Sequence, residues 1–419
     1  MTQPANCCCP AHDPCPRHMA AHHAIANSDR AHAIDGVDRD ALGESLDQRG
    51  ISRRAMLAAG AGAAMFVPAA ASPAFARTAR RALAPLPAGR IHELPSTPQT
   101  VKVGAMDPAT PVVLEIESGD IVHYPNTWVN WANEAKYGMP FAERESIRKR
   151  YPAGPYSLVG PVAVKGAEPG DVIECRMIRL KPIDWGWNST PKGMGALPDA
   201  FDQPYLHYLK MDAQWRYADF APGVRLPLSP IQAVMAVQPA GDKPVSGILS
   251  GRYGGNISLR DLTEGTSLFL GVEVAGGRLW TGDSHAAQGD GVVDQTAIET
   301  AMEDLRIQYI LHKKVAVSTP VAETHDAWIV LAYGDTVDQA LAASIRQMIA
   351  WLSGATGLTG PDIYALASIS GSFRITQYAN QTGSVYTSSP RKAVHGVLPK
   401  AIFDASRLEQ ISRSLRPGA

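Results

Sequence analysis

Beyond residue 100 the apolar positions recur mostly at every second residue, in short runs cut by Gly, Pro, Asp and Ser. Residues 112–117 alternate, Ser118-Gly-Asp120 breaks the pattern, and residues 121–124 resume it. That pattern predicts strand, turn, strand. Residues 161–164 and 172–180 flank Glu168-Pro-Gly-Asp171 and predict a second hairpin-like unit of the same design. The echo of Ser-Gly-Asp and Pro-Gly-Asp has two readings, a weak internal repeat or the ordinary turn chemistry of Gly and Asp. Further strands are predicted at 232–238, 267–274, 278–281, 306–311, 314–318 and 328–332. Between them, residues 182–230 are irregular, with Trp185, Trp187, Tyr205, Tyr208, Trp215 and Tyr217 set among prolines. Such an excursion reads as a wall over a pocket or as a surface layer burying its own rings.

The period lengthens only near the end. Leu341, Ile345, Met348, Ile349 and Leu352 recur at helical spacing, Asp335 or Thr336 can cap the segment, and Gly354 and Gly357 stop it. Thr359-Gly-Pro-Asp362 opens a second helix with Ile363, Leu366 and Ile369 on its apolar side. The pattern therefore predicts a mainly β fold, one sandwich-type domain with two C-terminal helices and no βαβ repeat.

Composition leaves this picture intact and excludes some functions. The 419 residues are 45% hydrophobic with a net charge of −1. The chain can bury a full core, and no basic footprint marks it for nucleic acid or an anionic membrane surface. The N-terminal part differs. Residues 1–50 form a polar leader carrying Cys7, Cys8, Cys9 and Cys15 beside His12, His18, His22 and His23; Met19 is an alternative start. Residues 51–76 contain Arg53 and Arg54, a run of small, weakly apolar residues, and Ala74-Phe75-Ala76. This resembles a twin-arginine (Tat) export signal, and it is too weakly apolar for a stable membrane anchor. The expectation is a periplasmic or secreted protein spanning 77–419, whose partner during export is the Tat machinery. Residues 77–419 keep one cysteine, Cys175, and so have no internal disulfide. Cys175 sits mid-strand in an alternating run, where a small buried side chain fits.

Candidate chemistry concentrates in residues 281–291. Asp283, His285, Gln288 and Asp290 lie within eight residues, interleaved with Gly282, Gly289 and Gly291. Carboxylates, imidazole and carboxamide are groups that hold a divalent cation, and the glycines suit a tight loop. No G-x-S-x-G elbow, H-E-x-x-H helix, Walker loop or G-x-G-x-x-G occurs. Residues 77–419 contain seven histidines, His92, His123, His207, His285, His312, His325 and His395.

Several motifs, in order, resemble the acetamidase/formamidase family. They are Gly160-Pro-Val with Gly166-Ala-Glu-Pro-Gly-Asp-Val172, Arg252-Tyr-Gly-Gly-Asn256, Gly282-Asp-Ser-His285 with Gln288-Gly-Asp-Gly291, Thr296-Ala-Ile-Glu299, and Ile375-Thr-Gln with Pro399-Lys400. The similarity covers about residues 100–405. It implies a β-sandwich-type fold, frequent homo-oligomers, and hydrolysis of a small-molecule linear amide to a carboxylic acid and ammonia with a divalent metal, zinc or calcium. Carried over by position, Asp283 and His285 become metal ligands. Asn256 and Gln288 then line the substrate pocket, and Glu323 or Asp290 is the catalytic base. The chain departs from the family where acidic residues are usual, carrying Ser258, Val292 and Gly371, and it has Ala327 where a His is usual, with His325 nearby. Exchanging a carboxylate for Val removes a ligand or a base; His123 could compensate, though a strand histidine is more often a satisfied core residue. Two other readings follow: an exported small-molecule binding protein, and a hydrolase of an ester, lactone or bulkier amide.

Overall fold

The computed structural model describes residues 89–315, 317–378 and 385–417, all within the compact unit Arg77–Ala419. The leader, its Cys/His cluster and the twin-arginine segment lie outside the described residues. Two large sheets dominate. The first has nine strands in the order Ile91–Glu93, Ile121–Pro125, Met302–His312, Val172–Pro182, Ser267–Gly271, Val321–Glu323, Ala327–Gly334, Lys392–Pro399 and Ser372–Gln377. The second runs Ser250–Gly251, Gly254–Asn256, Ile231–Ala236, Leu279–His285, Glu299–Thr300, Trp185–Thr190 and Tyr205–Lys210. Ser157–Val164 also pairs with Leu279–His285, and carries Val101–Val103 and Leu114–Ile116 beside it.

The main core takes residues from both sheets. Val159, Val162 and Met235 of the second meet Ile173, Cys175, Leu268, Ile307 and Leu331 of the first. The first sheet is buried on its other face as well. Phe269, Val321, Trp328 and Val330 turn away from the core and pack on Met348, Leu352, Ile363 and Ile411 of three helices. Alternation along 268–270 and 329–331 sends successive side chains to opposite layers. The fold is mainly β, as the periodicity predicts.

The helices differ from expectation in number. Val337–Thr356 is capped by Thr336 and ends at Gly357 in a left-handed conformation, running through Gly354. Gly360–Ser370 is capped by Thr359. A third, Ala405–Leu415, starts at Asp404, whose side chain accepts from Arg407 N at 2.8 Å. Phe141–Arg148 is a further helix, before the late region. Residues 314–318 form no strand among those described.

Neither predicted hairpin is one. Leu114–Ile116 and Ser157–Val164 belong to the second sheet, and the strands that follow them, Ile121–Pro125 and Val172–Pro182, belong to the first. The Gly-Asp segments are corners that carry the chain from one layer to the other. They share one geometry. Asp120 Oδ2 accepts from Glu117 N (3.0 Å) and Asp171 Oδ2 from Glu168 N (2.8 Å), while Gly119 and Gly170 take φ 98° and 94°. The two turns share a local geometry, which both readings of the echo accommodate.

Candidate functional site

The predicted glycine-rich loop begins as a strand. Residues 279–285 form a fully buried strand in the middle of the second sheet. Asp283 and His285 are two residues apart and face the same side. Ser284 between them turns to the other side and donates to Gln232 Oε1 at 3.0 Å. Directly across from His285 in the antiparallel ladder stands Glu299. His285 Nε2 lies 3.3 Å from Asp283 Oδ2 and 3.1 Å from Glu299 Oε1, and all three side chains are buried.

The surrounding residues hold this cluster. Gln288 Oε1 accepts from His285 Nδ1 (2.8 Å), and Gln288 Nε2 donates to the Ser258 carbonyl, which fixes the carboxamide and the ring together. Nδ1 is thus turned to Gln288, and Nε2 faces the Asp283 and Glu299 carboxylates. Glu299 accepts from Asn130 Nδ2 (3.2 Å) and from Ala297 N (3.2 Å). Asn256 donates from Nδ2 to the Tyr156 hydroxyl (3.0 Å), accepts from Ser258 Oγ (2.8 Å), and its carbonyl receives Gln377 Nε2 (2.9 Å). Two glycines make that placement feasible. A Cβ on Gly254 would sit 2.2 Å from Met235 O and one on Gly255 would sit 2.3 Å from Leu249 O, both at positive φ.

Tyr156, Asn256, Ser258, Asp283, His285 and Glu299 enclose a cavity of about 20 Å³, which Val292, Gln295 and Gln377 complete. That is room for about one water or one ion. Ser258 (φ 41°), Asp283 (φ 56°), Val292 (φ 43°) and Gln295 (φ 95°) all have left-handed backbones although none is glycine. Backbone strain gathered around one small cavity marks it as functional.

Electrostatics agree. Burial first, and then the Glu299 charge, push the Asp283 carboxyl up from its ordinary value. Burial alone would lower His285, but the Glu299 and Asp283 carboxylates outweigh it and hold the imidazole well above its usual value. Burial would likewise raise Glu299, and the His285 charge and hydrogen bonds reverse this, so Glu299 is held low. Asp283 Oδ1 and His285 Nε2 have no hydrogen-bond partner, and the ligand atoms of the three residues lie within 4.8 Å of one another.

Not every predicted residue comes here. Glu323 is buried in the first sheet, where Lys400 Nζ (2.7 Å) and Arg416 Nη2 (2.6 Å) occupy its carboxylate. Asp290 lies outside the cavity, 3.5 Å from Arg260 Nη1 and clustered with Asp261 and His395. Neither lines the cavity that holds Asp283 and His285, so neither carboxylate is placed to act there as a base. His123 does not compensate for the missing acids: it lies between Glu93 (3.4 Å) and Asp304 (3.2 Å). His325 sits beside Asp326 (2.6 Å). The substitutions Ser258 and Val292 both fall on the cavity wall. Glu299 closes the Thr296-Ala-Ile-Glu299 motif, and only cross-strand register brings it to His285. Asn130 and Tyr156 carried no sequence signal.

The acetamidase/formamidase family model matches residues 106–247 and 242–405, and the second span contains Asn256, Asp283, His285 and Glu299. The chain belongs to the acetamidase/formamidase family. Among curated relatives in this family, a formamidase of Methylophilus methylotrophus is 26% identical over 221 residues, 39% of this chain and 54% of that one. A putative formamidase of Schizosaccharomyces pombe is 26% identical over 191 residues, 32% of this chain and 47% of that one. The chain thus spans about half the length of the curated relatives it matches. Among solved structures, an acetamidase from Bacillus halodurans superposes with a TM-score of 0.66 at 25% identity, covering 74% of this chain and 98% of its own. The family fold extends over nearly all of that neighbour.

Proposed function

We propose that the protein hydrolyses the C–N bond of short linear amides other than peptide bonds, releasing a carboxylic acid and ammonia, at the Asp283–His285–Glu299 cluster. The observation that carries this reading is the meeting of two carboxylates and one oriented imidazole in a buried, ion-sized cavity of an acetamidase/formamidase fold. The donor set fits a divalent cation. Asp283 Oδ1 and His285 Nε2 are buried without hydrogen-bond partners, and Gln288 orients the ring from behind. One nitrogen and two carboxylates suit zinc with an open position, whereas calcium requires six to eight oxygens. A cation bound there supplies Lewis acidity and lowers the pKa of water.

The chain's own groups divide the remaining work. The Tyr156 phenol accepts from Asn256 and keeps its own proton for the cavity; burial, then the Asp283 and Glu299 charges, raise its pKa well above the ordinary value. Tyr156 is therefore the donor for an amide carbonyl oxygen as it gains negative charge. Asp283 and Glu299 both belong to the donor set, so neither takes the base role first sought in Glu323 or Asp290. The proton that water loses as its oxygen bonds to the carbonyl carbon is the one the nitrogen gains as the C–N bond breaks.

Purified protein should contain a divalent metal and release ammonia from formamide or acetamide. Asp283→Ala and His285→Ala should each lose the metal and lower turnover on the order of a hundredfold or more. Unchanged metal stoichiometry in both variants would refute the ligand set. A second reading rests on Ser258 and Val292, which put neutral groups on the cavity wall. If amide turnover is absent while small ligands bind, the protein is a binding protein or acts on an ester, lactone or bulkier amide. We also propose export through the twin-arginine segment, which Arg53→Lys with Arg54→Lys should block.

A further inference from the structure

Beside the cluster lies a second cavity of about 70 Å³, and Tyr156, Gln295 and Glu299 line both, so the two adjoin across these three side chains. At about 10–15 Å³ per water-sized sphere, it admits a group of only a few heavy atoms. Its walls are aromatic, with Trp131, Trp187 and Tyr386, yet its helical side carries Arg144 and Arg148, one turn apart on Phe141–Arg148.

The two arginines differ in what they already hold. Arg148 Nε lies 3.0 Å from Glu145 Oε1. Arg144 is 3% exposed and pairs with no carboxylate among the described residues. Its guanidinium carbon stands 4.4 Å from the Trp187 ring centre and 5.1 Å from that of Trp131. Nη1 donates to the Tyr208 hydroxyl (3.2 Å), and Nη2 has no partner. The nearby carboxylates are taken elsewhere: Glu145 by Arg148, and Glu299 by His285, Asn130 and Ala297 N. A buried guanidinium that makes no close ion pair is costly, and the Glu299 charge across the cavity offsets only part of that. The two indoles hold it in place and offset part of that cost.

We infer that this second cavity is an anion subsite anchored by Arg144, and that the protein's preferred substrates are short amides whose acyl chain ends in a carboxylate. The inference rests on the amide-hydrolase reading of the adjoining cluster. The unpaired Nη2 supplies one charge-assisted hydrogen bond to the carboxylate. The aromatic walls cover the intervening methylenes, and the amide reaches the Asp283–His285–Glu299 cavity. The volume limits the chain to one or two methylenes.

The test compares succinamate with succinamide, which have the same shape but differ in charge, on the metal-loaded protein. Wild type should favour succinamate by about tenfold to a hundredfold in kcat/KM, and isothermal titration should show the same preference in Kd. Arg144→Met should bring both ratios near one, and Arg144→Lys should keep part of the preference. Equal Kd values for the two ligands in the wild-type protein would overturn the subsite whatever the turnover. If neither compound is hydrolysed but succinamate still binds more tightly, the amide-hydrolase reading fails and the anion subsite stands.

Discussion

Val292 places a β-branched side chain at φ 43°, a backbone region that such residues avoid. Asn tolerates that conformation, so Val292→Asn should raise the urea midpoint, by about 1 kcal/mol in unfolding free energy; a lower midpoint would show that Val292 packing outweighs its backbone strain. Gln288 acts through His285, and Gln288→Ala should weaken metal affinity about 10–100-fold while leaving the bound ion count at saturation unchanged. Equilibrium dialysis with zinc would settle it. At this scale the sequence was only partly legible. Asp283 and His285 stand out because they are close in the chain. Glu299 is separated from His285 by a loop, and no local pattern reports which residue a ladder will set opposite another. Glu323 and Asp290 misled for the matching reason, since nothing local reveals that Lys400, Arg416 and Arg260 hold their carboxylates.

Among elements, the two corner turns repeat both in sequence and in function. Asp171 accepts from Glu168 N and from Lys314 N (3.0 Å), and pairs with Lys313. Asp171→Ala would leave both amides without their acceptor, at about 1–3 kcal/mol. Burial would raise the Asp171 pKa, but the Lys313 hydrogen bond and the two amides outweigh it and lower it. A depressed carboxyl stabilises fully above its unfolded value of about 3.9 and loses that contribution as pH falls through the folded value. The stability gap between wild type and Asp171→Ala should therefore narrow as unfolding is followed from neutral pH down below 3.9. A gap constant with pH would mean that the turn works without the charge. Period-two alternation located the long central strands, missed those at 185–190, 205–210, 217–221 and 224–227 in the stretch read as irregular and those at 372–377 and 392–399, and could not tell a hairpin from a corner. Both need Gly and Asp, and only the partners across each strand separate them.

For the whole molecule, Glu174 ties distant parts of the chain together. Its carboxylate meets Arg416 (2.7 Å), beyond the last helix, His312 (2.8 Å), Arg176 (2.7 Å) and Ser267 Oγ (2.8 Å). Burial opposes the charge, but the His312 and Arg416 hydrogen bonds and the arginine charges hold the carboxyl far below its ordinary value. Removing one member of a buried ionic network leaves the others uncompensated, so Glu174→Gln should cost about 3–5 kcal/mol at neutral pH. The penalty should shrink below about pH 4.5, as the wild-type carboxyl approaches protonation. Denaturant curves at pH 7 and pH 3 would reveal it, and equal penalties at both would contradict the charge argument. The mainly β class was readable from alternation and the late helices from their caps. The third helix was missed although Asp404, Leu408, Ile411 and Leu415 carry the same cap and spacing.

The cross-strand position of Glu299 makes the site depend on alignment as well as on residue identity. Glu299–Thr300 is only two residues long, and the Ala286 N to Ile298 O bond (2.9 Å) helps fix where it pairs. A slip of one place would set Ile298 or Thr300 opposite His285 and turn Glu299 to the far face. Every residue of the cluster would still be present in such a chain, and the sheet could remain closed. Short insertions or deletions between 286 and 298 are therefore a sharper way to silence this protein than most substitutions. A relative that keeps all three residues but changes the length of that loop need not keep the site.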